Sequence, residues 1–414
     1  MIKHSATLAI NDIMLRRRAA GERVLHMGFG EAGLPVLPEL KEVLADAAGR
    51  NSYGPVLGDP QAREAVAGWF TRRGHPTQAD QVILAPGSKS LLLALVMAFG
   101  GPVILPRPSW VSYAAQAELV GAGIRPVPIG PEFGGVPDPR LLTGSLSVAG
   151  EGRGPGCMVV TVPDNPTGTL ADPGSLAQAC ELAREREVPV IADEIYADLV
   201  HDGSRAPSAL DSYPERTVVT TGLSKCMALG GWRIGVARVP DNEWGAELME
   251  TLRGIASEVW SALAAPMQAV VEHVYSSPAS VTDHIARSRR LHGAVAQAVW
   301  EEFSAAGADC RPPRAGFYLY PDFGPVRERL AARGIGSSLE LADAFLEAHG
   351  IGFLPGVSFG DASEALTLRV ATSLLYGADE EQRWESLYSE DPAALPWVQD
   401  ALLHLRTGLA AVVG

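Results

Sequence analysis

The sequence has few of the features that mark disulfide-bonded, membrane or nucleic-acid-binding proteins. Its 414 residues include only four cysteines, none in CxxC spacing, which predicts neither a zinc site nor a disulfide framework. The longest apolar run, Leu91 to Phe99, is too short to span a bilayer. Only 20% of the residues are charged and the net charge is −14, which argues against nucleic acid or an anionic membrane as a partner.

A signal-peptide pattern is also missing. The stretch from Met1 to Gly21 has a basic cluster, Arg16-Arg17-Arg18, but no long apolar segment. We therefore expect a protein of the reducing cytoplasm. An apolar fraction of 47% is typical of a globular enzyme, and the length allows one large domain and a smaller one.

What the sequence does contain, from about residue 81, is a regular alternation of short apolar strands and helical segments. This alternation predicts an α/β fold in which a mostly parallel sheet of seven strands lies between helices. In such sheets ligands bind at the carboxyl ends of the strands. The predicted strands are Gln81–Ala85, Pro102–Leu105, Arg125–Ile129, Met158–Val162, Val188–Ala192, Thr217–Thr221 and Trp232–Val239, and the predicted helices are Lys89–Phe99, Trp110–Gly121 and Ser175–Arg186.

The two ends of the sequence predict a smaller α+β unit. We expect residues 49–285 to form the large domain, and residues 1–48 and 286–414 to contribute to the small one. A single long helix is predicted from Ala264 to about Ala305. Other predicted elements are helices at Thr7–Ala20, Leu37–Ala48, Leu339–Ala348 and Pro396–Leu405, and strands at Val24–Phe29, Phe317–Tyr320 and Leu366–Ala371.

Lys225 follows the sixth predicted strand, and Arg233 lies eight residues further on. A lysine at the exit of a buried strand loses its proton readily, because burial disfavours the charged ammonium. A neutral lysine amine forms a Schiff base with an aldehyde, which is how such residues hold pyridoxal phosphate. Arg233 would supply donors for the phosphate of that cofactor. A Ser-Lys pair alone is more often an ordinary strand end with a lysine that reaches solvent. The other motifs therefore decide whether Lys225 binds a cofactor.

Two further motifs follow predicted strands. Asp193 ends an apolar run, and a buried carboxylate is costly unless it is paired, so a protonated pyridine nitrogen would suit it. Tyr196 could direct its phenol at the ring oxygen of the cofactor. Asn165, in Asp164-Asn165-Pro166, could direct its amide there too. The alternatives are a helix-capping Asp193 and a plain turn around Asn165.

Three more segments fit the same cofactor and its substrate. Gly87 and Ser88 lie between a strand and a helix, where free N–H groups can hold a phosphate. Trp110 could stack on a flat ring, although a core tryptophan is the alternative. Arg369 lies in an apolar strand-like stretch, where it needs a partner. That partner is either a substrate carboxylate or an acidic side chain of the protein.

Together these motifs resemble the fold type I pyridoxal-phosphate enzymes, most closely the class I/II aminotransferases. The resemblance extends from about Gly30 to Ala371, which is most of the chain. It implies the transferase fold of that group, with a large cofactor-binding domain and a smaller α+β domain. The motifs that occur in family order are Asn165-Pro166-x-Gly168, Asp193-x-x-Tyr196, Ser224-Lys225 and Arg233.

The resemblance implies roles for individual residues. Lys225 would carry the Schiff base and transfer protons, Asp193 would pair with the pyridine nitrogen, and Tyr196 would contact the ring oxygen. Tyr53 resembles a tyrosine that reaches the phosphate in the neighbouring subunit, which implies a homodimer with shared active sites. The implied cofactor-binding residues are Gly87, Ser88, Lys89, Trp110, Asn165, Asp193, Tyr196, Ser224, Lys225, Arg233 and Tyr53, and the implied substrate-binding residues are Gly30, Asn165 and Arg369.

The sequence also departs from the family pattern. Gly222 stands three residues before the lysine, where a hydroxyl residue that donates to the phosphate is common. Lys89-Ser90 stands where small or acidic residues are more common. In the loop after Gly30, alanine replaces the usual proline at position 32, and Gly33-Leu34 replaces Asp-Phe. None of these changes removes a residue that the central chemistry requires.

The implied function is transfer of the amino group of an L-amino acid to a 2-oxo acid, through a Schiff base on Lys225 and a quinonoid intermediate. The alternative is a lyase or oxidase on the same scaffold, by β- or γ-elimination, replacement or O₂-dependent oxidation. A regulatory module that senses pyridoxal phosphate would carry a DNA-binding segment, which the charge of −14 argues against. No second arginine is assignable to a substrate side chain, and Trp110 and Tyr113 favour a pocket that accepts apolar groups.

Overall fold

A seven-stranded sheet forms the centre of the computed structural model, which describes residues 5–130, 134–146 and 156–414. The strands run β2-β8-β7-β6-β5-β3-β4 across the sheet, and only β8 is antiparallel to its neighbours. The strands of the described chain are β1 Leu25–His26, β2 Val82–Pro86, β3 Val103–Arg107, β4 Ile124–Pro128, β5 Cys157–Thr161, β6 Val190–Asp193, β7 Thr217–Gly222, β8 Ile234–Arg238, β9 Tyr318–Leu319, β10 Ile351–Gly352, β11 Leu354–Pro355 and β12 Leu368–Ala371.

Helices cover both faces of this sheet, as the strand–helix alternation predicts. Several begin with a polar cap: the Asp172 carboxylate accepts a hydrogen bond from the Ser175 N–H, and Asn242 accepts one from the Gly245 N–H. The helices are α1 Ala6–Ala19, α2 Pro38–Ala47, α3 Pro60–Arg72, α4 Ser88–Phe99, α5 Val111–Leu119, α6 Pro139–Leu146, α7 Pro173–Glu185, α8 Glu243–Val259, α9 Ala265–Tyr275, α10 Ala279–Ala305, α11 Arg327–Ala331, α12 Ser338–His349, α13 Glu380–Tyr388 and α14 Pro396–Val413.

The two faces of the sheet bury separate apolar cores because strand side chains alternate in direction. In β5, Met158 and Val160 point into the core beneath α3, α7 and α9, whereas Cys157 and Val159 point into the core beneath α4 and α8. All of these side chains are buried. Strands buried on both faces are continuous apolar runs in the sequence, which is why they are predictable from it.

A third core lies among the C-terminal elements. Strands β11, β12 and β9 form an antiparallel sheet in that order, and β1 pairs in parallel with β10. Residues of α10, α12 and α14 fill the space beside them, together with Leu25 and Met27 from the N-terminal part of the chain. Helix α10 joins two cores, since Ile285 packs on the sheet core and Leu291 lies in the third core. The domain division at 48/49 and 285/286 stays a prediction.

Several predicted elements differ from the structure. The single long helix from Ala264 to Ala305 is wrong: α9 ends at Tyr275 and α10 begins at Ala279. Pro278 disfavours helical backbone at Ser277, which adopts a φ of 61°. The predicted strand Val24–Phe29 is reduced to β1, and the C-terminal helix extends beyond Leu405 to Val413. Within the described residues, no helix is both long and apolar enough to cross a membrane.

Candidate active site

A cavity of about 340 Å³ lies at the carboxyl ends of the central strands. Parallel strands bring residues that are distant in sequence to the same sheet edge, so the motifs after β2, β5, β6 and β7 meet there. Gly87 and Tyr53 are not among its lining residues, nor are Gly33 and Leu34 of the neighbouring loop. The predicted residues that line it are Gly30, Ser88, Lys89, Trp110, Asn165, Asp193, Tyr196, Ser224, Lys225, Arg233 and Arg369.

Asp193 is the last residue of β6, and its carboxylate is fully buried. Oδ2 accepts a hydrogen bond of 2.7 Å from the Tyr113 hydroxyl, and Oδ1 accepts one of 3.3 Å from the Ile195 N–H. Burial raises the pKa of Asp193 to about 6, although these hydrogen bonds and the charge of Lys225 oppose the rise. A cationic partner in the cavity would hold this carboxylate ionised, as the pairing with a pyridine nitrogen requires.

Lys225 follows the end of β7 and extends into the cavity. Its Nζ donates a hydrogen bond to the carbonyl of Gly30 and lies 5.9 Å from the centre of the Tyr196 ring. The side chain is half-buried and has no carboxylate ion-pair partner among the described residues. The amine is therefore held by a neutral acceptor and not by a carboxylate of the described residues.

Glycines shape the region beside Arg233. Gly87 adopts a φ of 82° just before α4, and a Cβ atom there would lie 2.2 Å from Nη2 of Arg233. A Cβ atom at Gly235 would lie 2.3 Å from the backbone N of Ser88. Close backbone approach at the start of a helix, next to an arginine, is typical of a phosphate-binding site.

Gly222, the departure noted in the sequence, has a steric cause. It pairs with Gly235 across β7 and β8, and a Cβ atom at Gly222 would lie 2.4 Å from the carbonyl oxygen of Ile234. The strand pair therefore has no room for a serine or threonine side chain at this position. Phosphate donors must come from the neighbouring groups, of which Ser88, Ser224 and Arg233 line the cavity.

Arg369, in β12, is 1% exposed and has no carboxylate ion-pair partner among the described residues. Its Nη2 donates a hydrogen bond of 2.6 Å to the carbonyl of Gly28, whereas its buried Nε has no acceptor. Burial lowers the pKa of Arg369 from its usual range. A structural salt bridge, the alternative role for this residue, is absent from the described part of the chain, and a ligand carboxylate would supply the missing acceptors.

Several lining residues carry no individual signal in the sequence. Tyr318 hydrogen bonds through its hydroxyl to that of Tyr196, at 2.9 Å, and Ser5 and Thr7 reach the cavity from the start of α1. They come from opposite ends of the chain, so only the folded structure reveals that they are neighbours. Tyr113, which contacts Asp193, has a partial signal because it lies in the same motif as Trp110.

The cavity fits pyridoxal phosphate. The glycine-lined end beside Arg233 accommodates a phosphate, Asp193 suits a pyridine nitrogen, and Lys225 suits an aldehyde carbon. The buried Nε–H of Arg369 has no hydrogen-bond acceptor among the described residues, which leaves it available to a ligand carboxylate. Fold and cavity together define a pyridoxal-phosphate enzyme of fold type I.

The chain belongs to the class I and II aminotransferases. The sequence profile of that family, described as "Aminotransferase class I and II", matches residues 24–374. The chain is thus a pyridoxal-phosphate-dependent aminotransferase, which confirms the function implied by the sequence motifs.

Individual relatives agree with this assignment. A probable aspartate/prephenate aminotransferase of Thermus aquaticus is 30% identical over 86% of this chain and 90% of its own length. An aspartate aminotransferase of Geobacillus stearothermophilus is 29% identical over 89% of this chain and 92% of its own length. The solved aspartate aminotransferase of Thermus thermophilus with maleate superimposes with a TM-score of 0.82 at 25% identity, over 98% of this chain and 97% of that one.

The Gly222 geometry predicts the effect of restoring a hydroxyl. Gly222→Ser should lower the free energy of unfolding by about 1–3 kcal/mol, because the new Cβ overlaps the Ile234 carbonyl. It should not tighten binding of pyridoxal phosphate. Denaturant unfolding and cofactor titration measure both effects.

Gly231→Ser is the matched control, since a Cβ atom at Gly231 meets nothing within 4 Å. A Gly222→Ser protein that is as stable as this control and binds the cofactor more tightly than the unmodified protein would contradict the steric explanation.

Proposed function

We propose that this aminotransferase uses the residues of the cavity in the following roles. Lys225 carries the cofactor and moves the proton at the substrate Cα, and Asp193 keeps the pyridine nitrogen protonated. Tyr196 and Asn165 contact the ring oxygen, and Trp110 stacks on the ring. The bound cofactor supplies an electron sink for the substrate carbon. The phosphate is held by Gly87, Ser88, Ser224 and Arg233, with Tyr53 of a second subunit.

The observation that carries this proposal is the buried Arg369, which has no carboxylate partner in the described part of the chain and lies in the same cavity as Lys225. A substrate carboxylate on Arg369, helped by Gly30 and Asn165, would fix the orientation of the amino acid. Its Cα proton would then face the lysine amine, which is the geometry that a general base needs.

We further propose that the substrate carries a second carboxylate. Lys89 lines the cavity, lies 5.0 Å from the centre of the Trp110 ring, and has no ion-pair partner within the described residues. Burial and the charges of Arg233 and Lys225 lower the pKa of Lys89. A bound anion would offset the repulsion between these three cationic side chains. Ser5, at the start of α1, does not use its hydroxyl as a helix cap, and Thr7 lies beside it.

This arrangement gives a dicarboxylic amino acid cationic partners at two points, since Lys89 takes the place of a second arginine. It agrees with the names of the relatives, which refer to aspartate and prephenate. We also propose a cytoplasmic location and a homodimer, as the sequence implies.

The amino-transfer roles are tested by half-reaction spectra. The purified holoenzyme is mixed with single amino acids, and the visible absorbance of the bound cofactor is followed. Aspartate and glutamate should abolish that absorbance, and a 2-oxo acid should restore it. Lys225→Ala should lack the absorbance of the lysine-bound cofactor from the start. Release of ammonia or peroxide without a transferred amino group would instead indicate the lyase or oxidase alternative.

Lys89→Met tests the second carboxylate. We expect kcat/KM for aspartate to fall by about 10- to 100-fold, as for loss of a charged hydrogen bond, and that for alanine to change little. Lys41→Met is the control, because Lys41 is a surface residue that pairs with Glu380. Equal losses for both amino acids, together with weaker cofactor binding, would assign Lys89 to the phosphate instead.

The homodimer makes a separate prediction about Tyr53. Its side chain is 94% exposed and does not line the cavity of its own chain, as expected of a residue that serves a partner. Sedimentation should give twice the 43.7 kDa mass of one chain. Tyr53→Phe should weaken binding of pyridoxal phosphate by about tenfold. Tyr388→Phe, another exposed tyrosine, should not. A monomeric holoenzyme with full activity would contradict the shared site.

A further inference from the structure

Two buried phenols lie side by side in the cavity wall. The hydroxyls of Tyr196 and Tyr318 are 2.9 Å apart, and the two side chains are 3% and 1% exposed. Burial raises the pKa of Tyr196 well above its usual range, so the Tyr196 phenol stays protonated. Each hydroxyl can therefore donate one hydrogen bond and accept another.

Tyr318 also contacts the carboxylate-binding end of the cavity. The Arg369 guanidinium lies 4.9 Å from the centre of the Tyr318 ring, within the range of a cation–π contact. The two residues come from paired strands, since Ala371 of β12 is opposite Tyr318 in β9. A Cβ atom at Gly30 would lie 2.2 Å from the Tyr318 hydroxyl oxygen, so glycine at position 30 makes room for it.

We propose that Tyr318 is a positioning residue that links carboxylate binding at Arg369 to the hydrogen bond between Tyr196 and the cofactor. The proposal rests on the roles of Arg369 and Tyr196 given above. When Tyr196 donates its proton to the ring oxygen, its own oxygen is free to accept one, and Tyr318 donates to it. A hydroxyl that accepts a hydrogen bond becomes a stronger donor, so this chain of two bonds strengthens the contact to the ring.

A substrate carboxylate on Arg369 changes the charge next to the Tyr318 ring and hence the position of its hydroxyl. The electronic state of the cofactor would respond through Tyr196. Among the described residues, the charged groups that face the tyrosine pair are Arg369 from β12, Lys225 after β7, and Asp193 at the end of β6.

The test is a pH titration of the visible absorbance of the holoenzyme, alone and with maleate as a non-reactive dicarboxylate. Loss of the Tyr318 hydroxyl should weaken the donor that stabilises the ring oxygen when the lysine nitrogen is unprotonated. In Tyr318→Phe we therefore expect the midpoint of the absorbance titration to rise by about half a pH unit. The change in this midpoint that maleate causes should become smaller. Phenylalanine keeps the ring beneath Arg369, and thermal unfolding checks that the protein is folded.

Tyr320→Phe is the matched control. Tyr320 is two residues further along the chain, but its hydroxyl bonds to Asp361 at 2.7 Å and does not line the cavity. This variant should titrate like the unmodified enzyme.

Tyr196→Phe separates the possible failures. If Tyr196→Phe moves the midpoint and Tyr318→Phe does not, the role of Tyr318 is wrong and the site assignment stands. If Tyr196→Phe also leaves the midpoint unchanged, the proposed contact of Tyr196 with the ring is wrong. If maleate does not shift the titration midpoint of the unmodified enzyme, the proposal that the substrate carries a second carboxylate is wrong. The effect of Tyr318→Phe on the midpoint measured without maleate then decides the role of Tyr318.

Discussion

Two buried ionisable side chains, Asp193 and Arg369, have no ion-pair partner among the described residues, and the site is arranged around them. An unpaired charge in a protein interior costs several kcal/mol, so neither group is explained by the stability of the protein alone. Within the described residues each has neutral partners: a phenol and an N–H for Asp193, and a carbonyl and the Tyr318 phenol for Arg369. A cationic ring and an anionic substrate are the ligands that would balance them.

The sequence predicts most of the central sheet because strands such as β2, β5 and β6 are buried on both faces and are therefore mainly apolar, whereas the edge strand β4 is only partly buried. Errors occur where tertiary structure overrides local pattern. Val24–Phe29 has a strand-like pattern, but only Leu25 and His26 find a partner strand, in β10. The helical pattern in the sequence continues from Ala264 to Ala305. In the structure the helix is interrupted at Pro278 and at Ser277, whose backbone is left-handed. Helices α3 and α8 are missing from the predicted elements, although Pro60 at the start of α3 and the Asn242 cap of α8 are typical signals of a helix start.

The site is predictable to the extent that its residues follow strands of one parallel sheet. Asn165, Asp193 and Lys225 each end or follow such a strand, so the topology alone brings them together. Tyr318, Ser5 and Thr7 lie outside that sheet, and their place depends on how the terminal segments fold back over it. Gly222 shows a different limit of prediction from sequence. It has no side chain because the carbonyl oxygen of Ile234 lies too close, and no local sequence pattern encodes that contact.

Helix α10 has a mechanical consequence. Its 27 residues would extend about 40 Å, and its two ends pack in different cores. Midway, the ring of His292 lies 5.0 Å from that of Phe317, next to Tyr318 in the cavity wall. A continuous helix of this length is stiff. A small tilt at one end would therefore displace the part of the helix that packs beside the cavity, because no loop interrupts it.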